Sequence, residues 1–367
     1  MKLQVTQENL NKALTVVARV ASARGTLPIL ANVLIKTVEN RLSISATNLD
    51  IAITQHIGAK VSEEGAITVP ARLMQDFIGS LPSGIINLTL EDNKLHITTD
   101  QYQSVVNGVL ADDFPVMPAI DTSADTSHVW TINAAILKKG LQQVAMAASN
   151  DESRPVLTGV LIHTIEGNLF AAATDSYRLA EKNLGVNKED VRLLIPATAI
   201  QDLMRILGDY DAAVQVTHDD QQILFQANDV DLVARLIDGK FPDYRKLIPS
   251  EFAVEARVKR ADLVNVTKVS SLFARESAGS VTITVDEAKN ELSIRSVASQ
   301  LGENTAAATG SIKGSGSITL NSRYLLDALH AFGSDEVSFC FNGKLEPTLL
   351  RDPKNDEYVH IIMPLKS

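Results

Sequence analysis

The chain has 367 residues, 45% hydrophobic and 5% aromatic, which excludes a disordered chain and fits several cores built from aliphatic side chains. Its 44 acidic residues outnumber 34 basic ones, for a net charge of −10, so the bulk field repels phosphate and gives no general attraction for nucleic acid. A lone cysteine, Cys340, excludes an internal disulfide, and no apolar run reaches membrane length, so the expectation is a soluble, cytoplasmic protein without signal peptide or membrane span.

The first expected element is an amphipathic helix over 7–24, because Leu10, Leu14, Val17 and Ala21 recur at helical spacing. Short strands follow, and a second helix opens after Pro70. The alternation in "INLTLEDNKLHIT" (86–98) predicts a hairpin. The order then restarts. Leu137, Leu141, Val144 and Ala148 mark a helix over 133–146, strands follow, and another helix opens after Pro196. A third round has a helix over 257–275, a hairpin in "VTITVDEAKNELSIRS" (281–296) and a helix after Asn321. "GSIKGSGS" (310–317) reads as a flexible loop, because it lacks the lysine spacing of a phosphate-binding loop.

The restarts are a true repeat. "PILANVLIKTVENRLSISATNLDIAI" (28–53) aligns without a gap on "PVLTGVLIHTIEGNLFAAATDSYRLA" (155–180), with ten of 26 positions identical at an offset of 127. Phe114-Pro115 matches Phe241-Pro242 at the same offset. A fainter third copy aligns "NELSIRS" (290–296) with "NRLSISA" (40–46), and Asp76, Asp202 and Asp327 line up. The expected units are 1–125, 126–250 and 251–367, joined at turn-rich stretches. Each has two helices and several strands, so the class is α+β with largely antiparallel sheet.

Charge is expected to be uneven. The six expected helices sum to +8 and the rest of the chain to −18. A solvated helix face explains this equally well in one unit. Three equivalent units turn it into a recurring basic surface.

"RGTLPILANVLI" (24–35), "ATDSYRL" (173–179), "DGKFPDYRKLIP" (238–249) and "HIIMPL" (360–365) resemble the bacterial sliding clamps, the β subunits of DNA polymerase III. The resemblance spans the whole chain. It implies three tandem clamp-type domains, each with two helices packed on antiparallel sheets, in a head-to-tail dimeric ring with helices lining the hole. Twelve helices about 9 Å apart give an axis-to-axis diameter of about 34 Å, and a hole of about 23 Å after one helix thickness is removed. Six helices leave only about 6 Å, so one chain cannot encircle a duplex and two can. The ring then holds DNA by topology and slides, because phosphate contacts read no bases.

The resemblance also implies sites. Arg24 and Arg72 are the first DNA contacts, with Lys12, Lys138 and Lys139 on the helices. Arg154 follows, in a loop where Asp151 and Glu152 replace the basic and aromatic residues often seen. Partner peptides with a glutamine and bulky apolar residues are expected in a groove between the second and third units. Its first side is Leu157, Thr174, Ser176, Tyr177, Arg178, Leu179, Pro242, Lys246 and Leu247. Its second is Leu345, Pro347, Ile361, Ile362, Met363, Pro364 and Leu365. Arg178 is expected to hold a glutamine amide or a carboxylate. Tyr177 and Lys246 stand where the family often has His and Arg, so partner preference is expected to differ. Val106, Leu272 and Phe273 are candidates for the dimer seam, beside Ser104 in place of a bulkier residue. The implied partners are duplex DNA, a second copy of the chain, the clamp loader complex, the replicative polymerase catalytic subunit, and other polymerases and repair proteins. No cofactor, metal or catalytic residue is expected.

Two other classes compete with this reading. An enzyme lacks its parts: His56, His96, His128, His163, His218, His330 and His360 are scattered without metal-ligand spacing, and there is no G-x-S-x-G. Tyr177 and Arg178 could still form a binding pair in a small-molecule hydrolase, but a threefold repeat without a catalytic constellation argues against it. A protein-only scaffold shares the groove but needs no basic helices.

Overall fold

The computed structural model describes residues 1–21, 27–120, 126–299 and 302–365. Six α-helices lie among them: α1 Gln7–Val17, α2 Ala71–Ser80, α3 Ala134–Val144, α4 Ala197–Leu207, α5 Arg260–Phe273 and α6 Ser322–Ala331. Their starts follow local chemistry. The Thr6 side chain accepts from Asn9 N before α1, and Asn321 Oδ1 accepts from Arg323 N and Tyr324 N at 2.9 and 3.4 Å before α6. Pro70 and Pro196 precede α2 and α4, as expected. Leu10, Leu14 and Val17 of α1 and Leu137, Leu141 and Val144 of α3 are fully buried, so both expected apolar stripes face cores. Gly140 lets α3 lie close on its sheet: a Cβ there would come within 2.2 Å of Leu184 Cδ2.

Three of the expected helices are shorter than the pattern suggested, and this changes the charge. Lys12 offsets Glu8 in α1, Lys138 and Lys139 are unopposed by acids within α3, and Arg260 and Lys268 outweigh Asp262 in α5. The helices therefore carry +3 rather than +8. Arg19 and Arg275 flank helix ends, while Arg257 and Lys259 lie on the strand Val254–Lys259, where Arg257 is paired with Glu336. Positive sign survives; most of the magnitude does not.

The chain forms two compact units. One comprises Met1–Ala135 and Gln201–Leu236; the other comprises Ile136–Ile200 and Ile237–Ser367. The first holds a five-stranded and a nine-stranded sheet, the second a twelve-stranded sheet. Antiparallel pairing explains the grouping. In the first unit Ile51–Gly58 pairs with Val230–Arg235; in the second Arg178–Val186 pairs with Asn355–Ile362. Each pairing continues a sheet across a repeat joint, so the middle repeat is divided between the units. In the first, α1 packs on α2 and on Ile51–Gly58; in the second, α5 packs on α6 and on Gly302–Lys313.

The repeat is visible in the backbone. Strands Asn32–Val38 and Arg41–Thr47 turn through Glu39 and Asn40 at φ 47° and 61°; Gly159–Ile165 and Asn168–Thr174 turn through Glu166 and Gly167 at φ 49° and 77°. Both expected hairpins form, as Ile85–Glu91 with Lys94–Thr98 and Ser280–Asp286 with Glu291–Ala298. The expected loop at 310–317 is instead strand. Residues 310–313 end the strand Gly302–Lys313, Gly314 turns at φ 74°, and Gly316–Asn321 returns. Gly310 serves close pairing, since a Cβ would meet Arg257 O at 2.1 Å. Among the described residues no helix is long and apolar enough to cross a membrane.

Candidate functional site

The stretch 174–178 folds as the same turn as its repeat partner 47–51. Thr174 Oγ1 donates to Arg178 O at 2.7 Å and accepts from Ser176 N, as Thr47 Oγ1 does with Ile51 O and Leu49 N. Asp175 Oδ1 accepts from Tyr177 N and Arg178 N, as Asn48 Oδ1 does from Asp50 N and Ile51 N. Ser176 and Leu49 both take φ near 80°, at 77° and 81°. Two copies thus share one frame, and the side chains at 175–178, Tyr177 and Arg178 above all, give the second copy a different surface.

Arg178 fixes that surface. Its Nε donates to Asp175 Oδ2 at 3.1 Å, its Nη1 to Asp327 Oδ2 of α6 at 2.6 Å, and its guanidinium carbon lies 4.5 Å from the Tyr324 ring centroid. The side chain is 11% exposed. Two of its donors, Nε and Nη1, are thus engaged with acids, which holds the guanidinium in place as a positioning group. The expected equivalence of Asp327 and Asp202 goes only as far as position. Asp202 accepts from Arg205 one helical turn on, and burial raises its carboxyl above the usual range.

Beside this turn lies a cavity of about 170 Å³, walled by Thr174, Ser176, Arg178, Leu179, Pro242, Tyr244, Leu247, Ile361 and Met363. It is well below the roughly 300–1,000 Å³ of a drug-sized site and suits apolar side-chain anchors. Leu179 and Ile361 are cross-strand partners, and Met363 N donates to Tyr177 O at 2.8 Å, carrying the sheet one residue past the strand Asn355–Ile362. Leu161, Ala172, Leu179, Leu349 and Ile361 present one sheet face, on which Phe241 and Tyr244 pack.

Tyr244 is the wall that sequence reasoning missed, although "FPDYR" contains it. It is fixed from behind. Tyr244 Oη donates to Glu181, Arg245 donates to both Glu181 oxygens at 2.9 and 3.1 Å, and His163 Nε2 lies 2.7 Å from Tyr244 Oη. With the hydroxyl proton given to the carboxylate, the imidazole must donate its Nε2 proton. Burial pushes the His163 imidazole down to about 4, with Arg192 and Arg245 adding to the effect, so the ring is neutral at pH 7.

The other expected groove residues are distributed. Leu157 is buried and does not line the cavity, and Ile362 is fully buried, its side chain alternating away from that of Ile361. Tyr177 is 58% exposed, contributing its carbonyl as above. Lys246 is not on the wall; it is exposed and pairs with Asp243 at 2.6 Å. Leu345 is exposed and Pro347 half-buried, and neither lines the cavity. Pro364 and Leu365 are half-buried beyond Met363, and Leu365 N donates to Thr319 O at 2.8 Å.

Of the expected DNA contacts, Arg24 lies outside the described residues. Lys12, Arg72 and Lys139 are exposed and Lys138 is half-buried. Arg154 turns toward the turn instead: its Nη1 donates to Ser176 Oγ at 3.2 Å, and Asp151 lies 3.9 Å from its Nε. At the expected seam, Val106 faces inward on the edge strand Gln103–Asn107, because strand alternation makes Val105 the outward residue. Leu272 is exposed and Phe273 half-buried in the last turn of α5.

Three family descriptions match successive parts of the chain: DNA polymerase III beta subunit, N-terminal domain, over residues 1–118; central domain, over 131–243; and C-terminal domain, over 245–366. The beta sliding clamp of Synechococcus elongatus is 31% identical over 379 aligned positions, covering 100% of this chain and 99% of the relative. That of Bacillus subtilis is 28% identical with 100% of both covered. The crystal structure of the Bacillus subtilis DNA polymerase sliding clamp superposes with a TM-score of 0.95 at 27% identity, over 100% of this chain and 99% of that one. The Pseudomonas aeruginosa sliding clamp bound to griselimycin gives 0.94 at 26%, over 100% of both.

Proposed function

The chain belongs to the DNA polymerase III beta subunit family, the sliding clamps, and from that premise we propose that two copies close head to tail around duplex DNA and tether polymerase through the cavity beside Arg178. As a sliding clamp it is a processivity factor: it keeps a polymerase on its template. The observation that carries the tethering reading is the cavity itself. Leu179, Pro242, Leu247, Ile361 and Met363 offer an apolar recess, with Thr174 and Ser176 at its polar side. A leucine anchored there gains about 1.5–3 kcal/mol from burial, and the methionine wall adapts to different anchors.

DNA is held by enclosure, with Lys12, Arg72, Lys138 and Lys139 as phosphate contacts and Arg24 expected beside them. Catalytic chemistry has no part in this work. Loader, replicative polymerase, other polymerases and repair proteins share the recess in turn, in the cytoplasm. The seam is supported by an unpaired sheet edge: Gln103–Asn107 is the last strand of its five-stranded sheet and carries the exposed Val105. Leu272 and Phe273 supply apolar surface for the opposite side of the seam.

Solution mass together with electron-microscopic projection tests the reading. The expected particle has twice the chain mass and a central hole. A monomer, or a dimer with a filled centre, contradicts it.

A further inference from the structure

A second cavity, of about 580 Å³, lies next to the apolar one, and Pro242 and Tyr244 wall both. Its remaining walls differ in kind. Arg192, Lys240 and Arg245 are basic, His163 is neutral, and Asp243 is the acid among them. Two of these charges are already compensated. Arg245 is held bidentately by Glu181, and Asp243 pairs with Lys246. Arg192 and Lys240 are exposed and, among the described residues, stand in no ion pair. Their field is felt nearby. The Asp243 carboxyl is held below the usual range by the Lys246 hydrogen bond first, with Lys240 and Arg192 adding to it. In a chain of net charge −10, this recess has an uncompensated positive balance.

We propose that this recess is an acid-binding subsite of the peptide groove, where Arg192 and Lys240 take Asp or Glu side chains flanking the apolar anchors of a partner segment. The inference rests on the groove reading above. Continuity supports it: one extended segment fills the apolar cavity, crosses the exposed Pro242 and enters the basic recess. The charges support it as well. The Arg192 fork accepts a carboxylate in two parallel hydrogen bonds, and Lys240 adds a point charge. A polynucleotide needs a run of cations along its backbone, and two do not provide one.

The test uses the full-length chain and labelled peptides sharing a glutamine and two leucines, each extended at either end by three glutamates or three glutamines. Wild type is expected to bind one Glu-extended peptide about fivefold more tightly than its Gln counterpart at low salt. High salt should shrink that advantage. It should vanish in an Arg192→Ala/Lys240→Ala variant, with the affinity for the Gln-extended peptide unchanged. Equal binding of both peptides by wild type overturns the subsite and leaves the groove standing. So does an advantage that survives in the double variant. Failure of every peptide to bind overturns the groove and the subsite together. Competition by a single-stranded oligonucleotide, seen with wild type and lost in the double variant, assigns the recess to nucleic acid and overturns the proposal.

Discussion

Arg178 sets the shape of a surface that it also lines. It ties the turn at 174–178 to α6 through Asp175, Asp327 and the Tyr324 ring. Lysine keeps the charge but cannot span both acids and stack on the ring. Arg178→Lys is therefore expected to destabilise the second unit by about 1–2 kcal/mol in urea unfolding, and to weaken peptide binding. An unchanged midpoint makes the residue a surface pair only.

Two buried histidines give this unit a pH dependence. His163 is pushed down to about 4 and His360 to about 3, in both cases first by burial. Their folded values lie below the unfolded one of about 6.5, so the unfolded chain binds more protons throughout that window. Stability is full above about 6.5 and falls as the pH drops toward 4. Each histidine costs about 1–2 kcal/mol at pH 5. Urea midpoints at pH 7 and pH 5 should show this, and His163→Gln, which keeps a donor for Tyr244, should remove roughly half of the fall. A midpoint independent of pH over that range contradicts the burial argument.

At the scale of elements, the C-terminal strand Asn355–Ile362 and its extension supply Ile361 and Met363 to the cavity wall. Truncation after Ile362 removes Met363 and its bond to Tyr177 O. Peptide affinity is expected to fall at least about tenfold, equivalent to one buried apolar side chain. Dimerisation should not change, and unaltered peptide affinity assigns the binding elsewhere.

Element starts were legible because they depend on neighbours in sequence. Pro70, Pro196 and Asn321 announce helices within one residue, and the two hairpins follow from alternation. Helix ends were less legible, since apolar spacing through Ala21 and Ala148 continues past the last helical turn. The cavity residues Thr174, Ser176, Arg178 and Leu179 lie in the stretch marked by the divergence of one repeat copy, and Ile361 and Met363 in the stretch marked by family resemblance. Tyr244 was not legible, because it sits in a segment without periodicity that crosses a sheet face. Arg178's commitment to Asp327 joins positions 149 apart, and no local pattern reports such a pair. The burial of Val106 beside the exposed Val105 was not legible either, because a one-residue shift along a strand reverses the face presented.

For the whole molecule, three clamp domains in one chain leave little charge with which to bind DNA. The helices carry only +3, and the remainder carries −13. Affinity by charge is then weak, and persistence on DNA must come from enclosure. The acidic balance of the remainder serves this by discouraging non-specific adhesion to nucleic acid. The most direct measurement is retention on plasmid DNA. The protein is loaded on a nicked circle by its loader, freed of loader, and followed by gel filtration before and after one restriction cut. Enclosure predicts slow loss from the circle and rapid run-off from the linear form. Equal loss rates from both contradict it.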